Sequence, residues 1–270
     1  MRLRLVLITL VVPLLCSAEG NAPTLTGIMY WRHNAQALLE LPSSRSAPMR
    51  PILREGEAAG GWKVERIDVE AGTVGLLRHG GDSQILDLGL TPAERIARRT
   101  LYLRAADLSQ VLEVYQELSG RTVIRSATMP ITKIDCNSAA DFSPESAVGI
   151  LTNSLKKAGT VVTLIGAKFA VAGTKRDEDR IRSLKPPPAI VPGEETFAPG
   201  LMKFHEADLA QVLPVYAELI GRPMKPPQRL TPPIKVTVRS QTRLNHREAA
   251  WLLEACLHMA GMPVWPEHTN

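Results

Sequence analysis

The sequence predicts an α+β fold in which a small N-terminal β meander or barrel precedes two repeated β-α-β-β-α-β modules. Each module is expected to pack two helices on one face of a mixed sheet. Three observations predict this arrangement. A sixteen-residue phrase occurs twice, apolar residues alternate along the stretch from Trp62 to Leu88, and a proline-rich charged segment lies between the two copies of the phrase.

The chain has 270 residues, and its first 18 read as a removable leader. Met1-Arg2-Leu3-Arg4 is basic, Leu5 to Leu15 is mostly apolar, and Cys16-Ser17-Ala18 supplies small residues for cleavage after Ala18. The apolar run is shorter than the roughly 20 residues that span a bilayer. Export follows as the expectation, with a periplasmic location in a cell of two membranes. Lipidation at Cys16 is a less favoured alternative, because Leu15 stands where a small residue is wanted.

Residues 23–89 read as a small β domain. Trp62, Val64, Val74, Leu76, Leu86 and Leu88 fall on alternating positions, interrupted by the turn-like Glu70-Ala71-Gly72 and His79-Gly80-Gly81-Asp82. Five or six strands in a small barrel or sandwich are expected. Thr91 to Arg99 reads as a short polar helix or linker.

The repeat follows. Ala106-Asp107-Leu108-Ser109-Gln110-Val111-Leu112-Glu113-Val114-Tyr115-Gln116-Glu117-Leu118-Ser119-Gly120-Arg121 returns from Ala207 to Arg222 with twelve of sixteen residues identical at a constant offset of 101. In each copy an extended apolar piece leads to an acidic cap, Asp107 or Asp208, with Gln110 or Gln211 three residues on, the capping-box spacing. Leu108, Val111, Leu112, Tyr115 and Leu118 make one apolar stripe, matched by Leu209, Val212, Leu213, Tyr216 and Leu219. Gly120 and Gly221 stop these helices where a left-handed residue is favoured.

Strands are expected at Thr122 to Arg125, Thr132 to Cys136 and Ile234 to Arg239. Second helices start at Ser143-Pro144-Glu145 and at Asn245 with Glu248, and end at Gly159 and Gly261. Val161 to Leu164 and Lys168 to Ala172 form a hairpin around Gly166, whereas the second copy has only Met262 to Trp265 for its last strand. The modules thus occupy 100–173 and 200–270. The segment 174–199 between them carries Lys175-Arg176-Asp177-Glu178-Asp179-Arg180 and Pro186-Pro187-Pro188, and reads as an extended, semi-rigid tether with a solvated charge run.

Composition limits the function classes. With 44% hydrophobic and 22% charged residues the chain is neither disordered nor a multi-span membrane protein. Aromatic residues are only 4%, too few for a stacking platform for single-stranded nucleic acid. The net charge of +5, which falls to +3 without Arg2 and Arg4, does not demand a polyanionic partner.

No candidate catalytic constellation stands out. His33, His79, His205, His246, His258 and His268 are scattered and form no metal-ligand spacing. There is no P-loop, G-x-S-x-G or G-x-G-x-x-G, and no G-x-x-G between helices to clamp a nucleic-acid backbone. Asp107 and Asp208 are assigned to capping by their matched places in the repeat. Neither a cofactor nor a metal nor a small-molecule substrate is expected. Cys136 and Cys256 read either as buried free thiols or as a disulfide joining the two halves.

With these residues in view, each repeat resembles the KH-like periplasmic modules at the amino terminus of bacterial secretins, the outer-membrane ring proteins of type II secretion and type IV pilus systems. The phrase "ADL-x-x-VL-x-x-x-x-EL-x-G", the strand Ile234-Lys235-Val236-Thr237-Val238-Arg239-Ser240 and the helix phrase Arg247-Glu248-Ala249-Ala250-Trp251-Leu252-Leu253 ending at Gly261 carry the resemblance. The first copy departs at Thr132-Lys133-Ile134-Asp135-Cys136. Leu53-Arg54-Glu55-Gly56-Glu57 with Gly60 to Ile67 and Val74-Gly75-Leu76 is similar to the periplasmic β domain of a secretin's inner-membrane partner.

The resemblance implies a non-catalytic accessory of such a machine, with a secretin, a pilus or secretion component, or another copy of itself as partner, and with only indirect contact with the membrane. The alternatives are a cell-envelope adaptor unrelated to secretion and an exported enzyme without a recognisable motif. A truncated last strand would leave a sheet edge open, and an open edge pairs with a partner strand unless guarded. Ile234, Val236, Val238 and Val264 are the candidate interaction edge.

Overall fold

The structure, a computed structural model, describes residues 22–31, 34–43, 48–69, 71–89, 101–137, 143–187, 195–222 and 234–262. Residues 1–18 with Cys16, expected to be a leader, residues 91–99, expected to be a short helix or linker, and His33, His268 and Val264 lie outside the described residues. The fold is mixed α+β, with mostly antiparallel sheets and five helices among the described residues.

The N-terminal part begins with β1 (Thr24–Trp31), β2 (Asn34–Glu40) and β3 (Ile52–Leu53), then continues as an antiparallel sheet of β4 (Ala58–Ala59), β5 (Trp62–Asp68), β6 (Thr73–Arg78) and β7 (Ser83–Asp87). The residues expected to alternate inward do so: Trp62, Val64, Val74, Leu76, Leu86 and Leu88 are all buried. They pack against Leu25, Ile28, Ala37, Leu39 and Leu41 of the first strands, so two sheets close face to face on one core. Gly72, Gly80 and Gly81 take positive φ in the two turns, which only glycine does without strain.

The first sheet does not end at the β domain. Strand β8 (Leu101–Asp107) pairs antiparallel with β1 through Gly27 opposite Leu103, Ile28 opposite Tyr102 and Met29 opposite Leu101. On its other side β8 pairs with β10 (Lys133–Asn137), giving a five-stranded order β10-β8-β1-β2-β3. Tyr102 points into the β-domain core, while Leu101 and Leu103 point to the opposite face, onto the helices α1 (Leu108–Ser119) and α2 (Pro144–Lys157).

The chemistry expected at the helix ends is present. Asp107 accepts from Ser109 N–H while Gln110 Oε1 accepts from Asp107 N–H, and Gly120 closes α1 at φ 65°. In the later copy α4 (Leu209–Ile220) has the same box at Asp208 and Gln211 and ends at Gly221, φ 66°. Helix α2 is capped by Ser143, and α5 (His246–Met259) by Asn245 with Glu248.

The strands after α1 depart from the single mixed sheet expected of the first module. Strand β9 (Thr122–Arg125) does not join β8 and β10; it pairs parallel with β12 (Phe169–Gly173), which pairs antiparallel with β11 (Val161–Ile165). The helices therefore sit between two sheets. Strand β12 is buried on both faces, which explains its unbroken apolar run: Ala170 and Ala172 face α1 and α2, Phe169 and Val171 face the opposite way.

That opposite face carries the second half. Ile124, Ile165, Phe169 and Val171 share one core with Val212, Leu213, Val236, Val238, Leu252, Leu253 and Cys256. The later strands are β13 (Thr196–Phe197), β14 (Lys203–Asp208), β15 (Lys235–Arg239) and β16 (Leu244–Asn245), with β14 paired to β15 and β13 to β16.

The segment expected to be an extended tether is a helix in its first part. Lys175–Asp177 form one 3-10 turn and Glu178–Ser183 the short α3, with Ile181 buried against the second core. The charge run is not wholly solvated. Asp177 is buried and accepts from Thr174 N–H and Oγ1 at 2.8 Å and from Thr128 Oγ1 at 3.0 Å. Residues 188–194 lie outside the described part.

Candidate protein-interaction site

Of the predicted edge, Val236 and Val238 are buried in the core shared by the two halves, Ile234 is half-buried, and Val264 lies outside the described residues. The apolar face of β15 is therefore internal packing and not a docking face. Its residues alternate, so Val236 and Val238 must turn together, and the core of the second half needs both. The strand edge of β15 that does not pair with β14 runs beside β9, where Gln241 N–H donates to Thr122 Oγ1 at 3.0 Å.

Between these strands lies a cleft of about 160 Å³ lined by Arg125, Ser126, Met129, Lys235, Thr237 and Cys256. Both its cations are engaged: Lys235 Nζ is 2.7 Å from Asp208 Oδ1, and Arg125 lies 3.5 Å from Glu113. Burial pushes the Arg125 guanidinium down from its ordinary pKa, and the Glu113 carboxylate opposes that shift. Cys256 is buried and unpaired, as is Cys136, and burial alone pushes the Cys256 thiol up to about 12. A thiol held protonated in this way is a packing group and not a nucleophile.

A second cleft, about 390 Å³, opens between β1, the end of β7 and β8, lined by Thr24, Glu40, Asp87, Arg104 and Lys133 among others. Here Lys133 Nζ lies 2.7 Å from Glu40, and Arg104 donates to the backbone carbonyl Leu88 O at 2.7 Å. Among the described residues no three of histidine, cysteine, aspartate and glutamate converge as metal ligands. His258 lies against Ser183 Oγ at 2.9 Å, and the His246 ring packs at a tilt of 53° against Phe197.

The capping residues prove to have a second use. In the first repeat Asp107 Oδ2 faces Arg50 Nε at 3.4 Å, and Gln110 Nε2 donates to Leu39 O at 2.9 Å while its Oε1 accepts from Thr26 Oγ1 at 3.1 Å. One and two turns further along α1, Val114 is fully buried and Glu117 accepts from Gln36 Nε2 at 2.8 Å and faces Arg54 at 3.3 Å. These residues lie on one helix face, three or four positions apart. That face, with the edge of β8, holds the β domain.

Sequence reasoning identified Asp107 as a cap and missed Gln110 and Glu117 as docking groups. The signal was available: both are identical in the two copies of the repeat although they lie off the apolar stripe. The chain matches no family model, no curated protein and no solved structure. Among the described residues no helix is long and apolar enough to cross a membrane.

Proposed function

We propose that this protein is a non-catalytic assembly component of the bacterial cell envelope, exported and acting through protein–protein contacts of two secretin-like, KH-like modules, as an accessory of a type II secretion or type IV pilus secretin. The observation that carries the reading is the repeated pair of helix and bulged strand. The strands β8 and β14 shift register at the same place, between Leu103 and Ala106 and between Phe204 and Ala207, each with a non-glycine residue at φ 47°. The backbone N–H of that residue is held by the facing strand in both, Ala105 by Asp135 Oδ1 and Glu206 by Thr237 Oγ1. A unit kept twice down to a strained bulge is a scaffold reused for contact.

The first unit already illustrates such use, since its helix face and strand edge receive a β domain from earlier in the chain. Light scattering of the purified protein, alone and with the periplasmic part of its host's secretin, tests the reading. A ring-sized oligomer or a stable mixed complex supports it. A monomer indifferent to the secretin points instead to an envelope adaptor with another partner.

A further inference from the structure

The helix face that holds the β domain on the first repeat recurs on the second, where the described residues leave it bare. Asp107, Gln110, Val114 and Glu117 correspond to the identical Asp208, Gln211, Val215 and Glu218. In the first repeat Asp107, Gln110 and Val114 are buried and Glu117 is half-buried; in the second Asp208, Gln211 and Glu218 are exposed and Val215 is half-buried. Gln211 Oε1 accepts from Asp208 N–H at 3.0 Å, as Gln110 Oε1 does from Asp107 N–H, so the amide is held in the same place. Its Nε2, which in Gln110 donates to Leu39 O, has no acceptor among the described residues.

The strand edge matches. Leu101, Tyr102 and Leu103 pair with β1; of their counterparts, Lys203 and Phe204 belong to β14, which among the described residues pairs only with β15, and Met202 directly precedes it. We infer that this edge and helix face of the second repeat dock a β-hairpin of a second polypeptide. One strand of the hairpin adds antiparallel to β14 with a glycine opposite Phe204, and the other offers a backbone carbonyl to Gln211 Nε2 and a donor side chain to Glu218.

Each feature is read from what occupies the first repeat. Gly27 lies opposite Leu103, and a Cβ there would meet Tyr102 O at 2.6 Å and Leu103 Cδ2 at 2.9 Å, so the strand approaches only as glycine. Arg54 and Gln36 fill the place facing Glu117, so Glu218 calls for a donor or cation. Asp208 needs none, because Lys235 already neutralises it at 2.7 Å.

The occupant is a hairpin and not a whole β domain, since Tyr102, buried under the β domain, is replaced by the exposed Lys203. It is also not the β1–β2 hairpin of another copy. That hairpin is locked in two cores through Met29 and Leu38 on one side and Ile28 and Leu39 on the other. The charged edge Lys203, His205 and Glu206 discourages edge-to-edge pairing of two copies.

The inference rests on the reading of the chain as a binding protein, and not on the identity of the secretin. Its probe is a cyclised synthetic hairpin with the sequence of residues 24–40, titrated into the full chain and followed by calorimetry and amide hydrogen exchange. The expected result is saturable one-to-one binding with slowed exchange along β14. Gln211→Ala with Glu218→Lys in the chain, or Gly27→Val in the peptide, should weaken it tenfold or more. Both chain positions are exposed, and a melting transition that stays cooperative certifies the fold of the variant. No binding, binding indifferent to these changes, protection away from β14, or self-association of the chain through β14 would each overturn it. Hairpin binding by a protein that ignores the secretin removes the secretin reading alone; secretin binding without hairpin binding removes this inference alone.

Discussion

The rings of Phe169 and Trp251 lie 4.7 Å apart at an interplanar angle of 51°, joining β12 of the first repeat to helix α5 of the second. Lys168, the preceding residue, reaches Glu248 at the start of the same helix, with Nζ 2.7 Å from Oε2. Glu248 is almost wholly buried and also accepts from Asn245 N–H, so the lysine neutralises a carboxylate that is itself part of a helix cap. The two repeats are therefore one packed body at this seam, with the hairpin β11–β12 closing the first and flooring the second.

Phe169→Ala tests that seam. Phe169 is fully buried, and truncation of a buried phenylalanine costs about 3–5 kcal/mol through lost transfer energy and a residual cavity. Because Phe169 lies in the core of the second half and its strand neighbours in the core of the first, hydrogen exchange should accelerate in both α1 and α5. Acceleration confined to one helix would show the halves to be independent.

Asp177 gives the acid dependence. Burial opposes its charge, yet donors from Thr174, Thr128 and Ser126 outweigh burial and hold the carboxyl below its ordinary value. A depressed native pKa contributes stability that is complete above the unfolded value, about 3.9, and is lost as pH falls through the native one. Asp177→Ala, which leaves the Thr174 N–H without its acceptor, should cost about 1–3 kcal/mol at pH 7. The gap to the unsubstituted protein should close on acidification below about pH 4. A gap that stays constant to pH 2 would rule out the carboxylate as its source.

How much of this was legible follows from where the determinants lie. Caps, stops and alternation are local: Asp107 with Gln110, Gly120, and Trp62 with Val64 need only their neighbours in sequence, and the structure has them as read. What was not legible depends on distant partners. Asp177 looks solvated until Thr128, 49 residues earlier, is brought against it. Val236 and Val238 look like an open edge until Phe169 and Val171 arrive beneath them. The β1–β8 ladder joins Gly27 to Leu103, and nothing in either local pattern selects that pairing over another.

The bulge residues carry a strain that glycine removes. Ala105 and Glu206 both sit at φ 47°, where a side chain costs energy that glycine avoids. Ala105→Gly and Glu206→Gly should each stabilise the protein by about 0.5–1 kcal/mol, raising Tm by roughly 1–4 °C. Glycine also gains freedom in the unfolded chain, which is why the gain stays below the full strain energy. A lower Tm in both variants would mean that the bulge is not strained.

Gln110 and Gln211 make the sharpest internal comparison, because one residue type has one local role and two surroundings. Both accept from the N-terminal cap N–H through Oε1, at 3.2 and 3.0 Å. Gln110 is buried and also bridges Leu39 O and Thr26 Oγ1, so Gln110→Ala strands a buried carbonyl and a buried amide. Its cost should be about 2–4 kcal/mol, the sum of a lost cap partner and an unsatisfied buried acceptor. Gln211 is exposed, and water replaces what alanine removes, so Gln211→Ala should cost only about 0.5 kcal/mol in the free protein. Denaturant melts of the two variants measure both numbers. Equal losses would mean that Gln211 is already covered in solution, and its partner would then be part of the protein as purified.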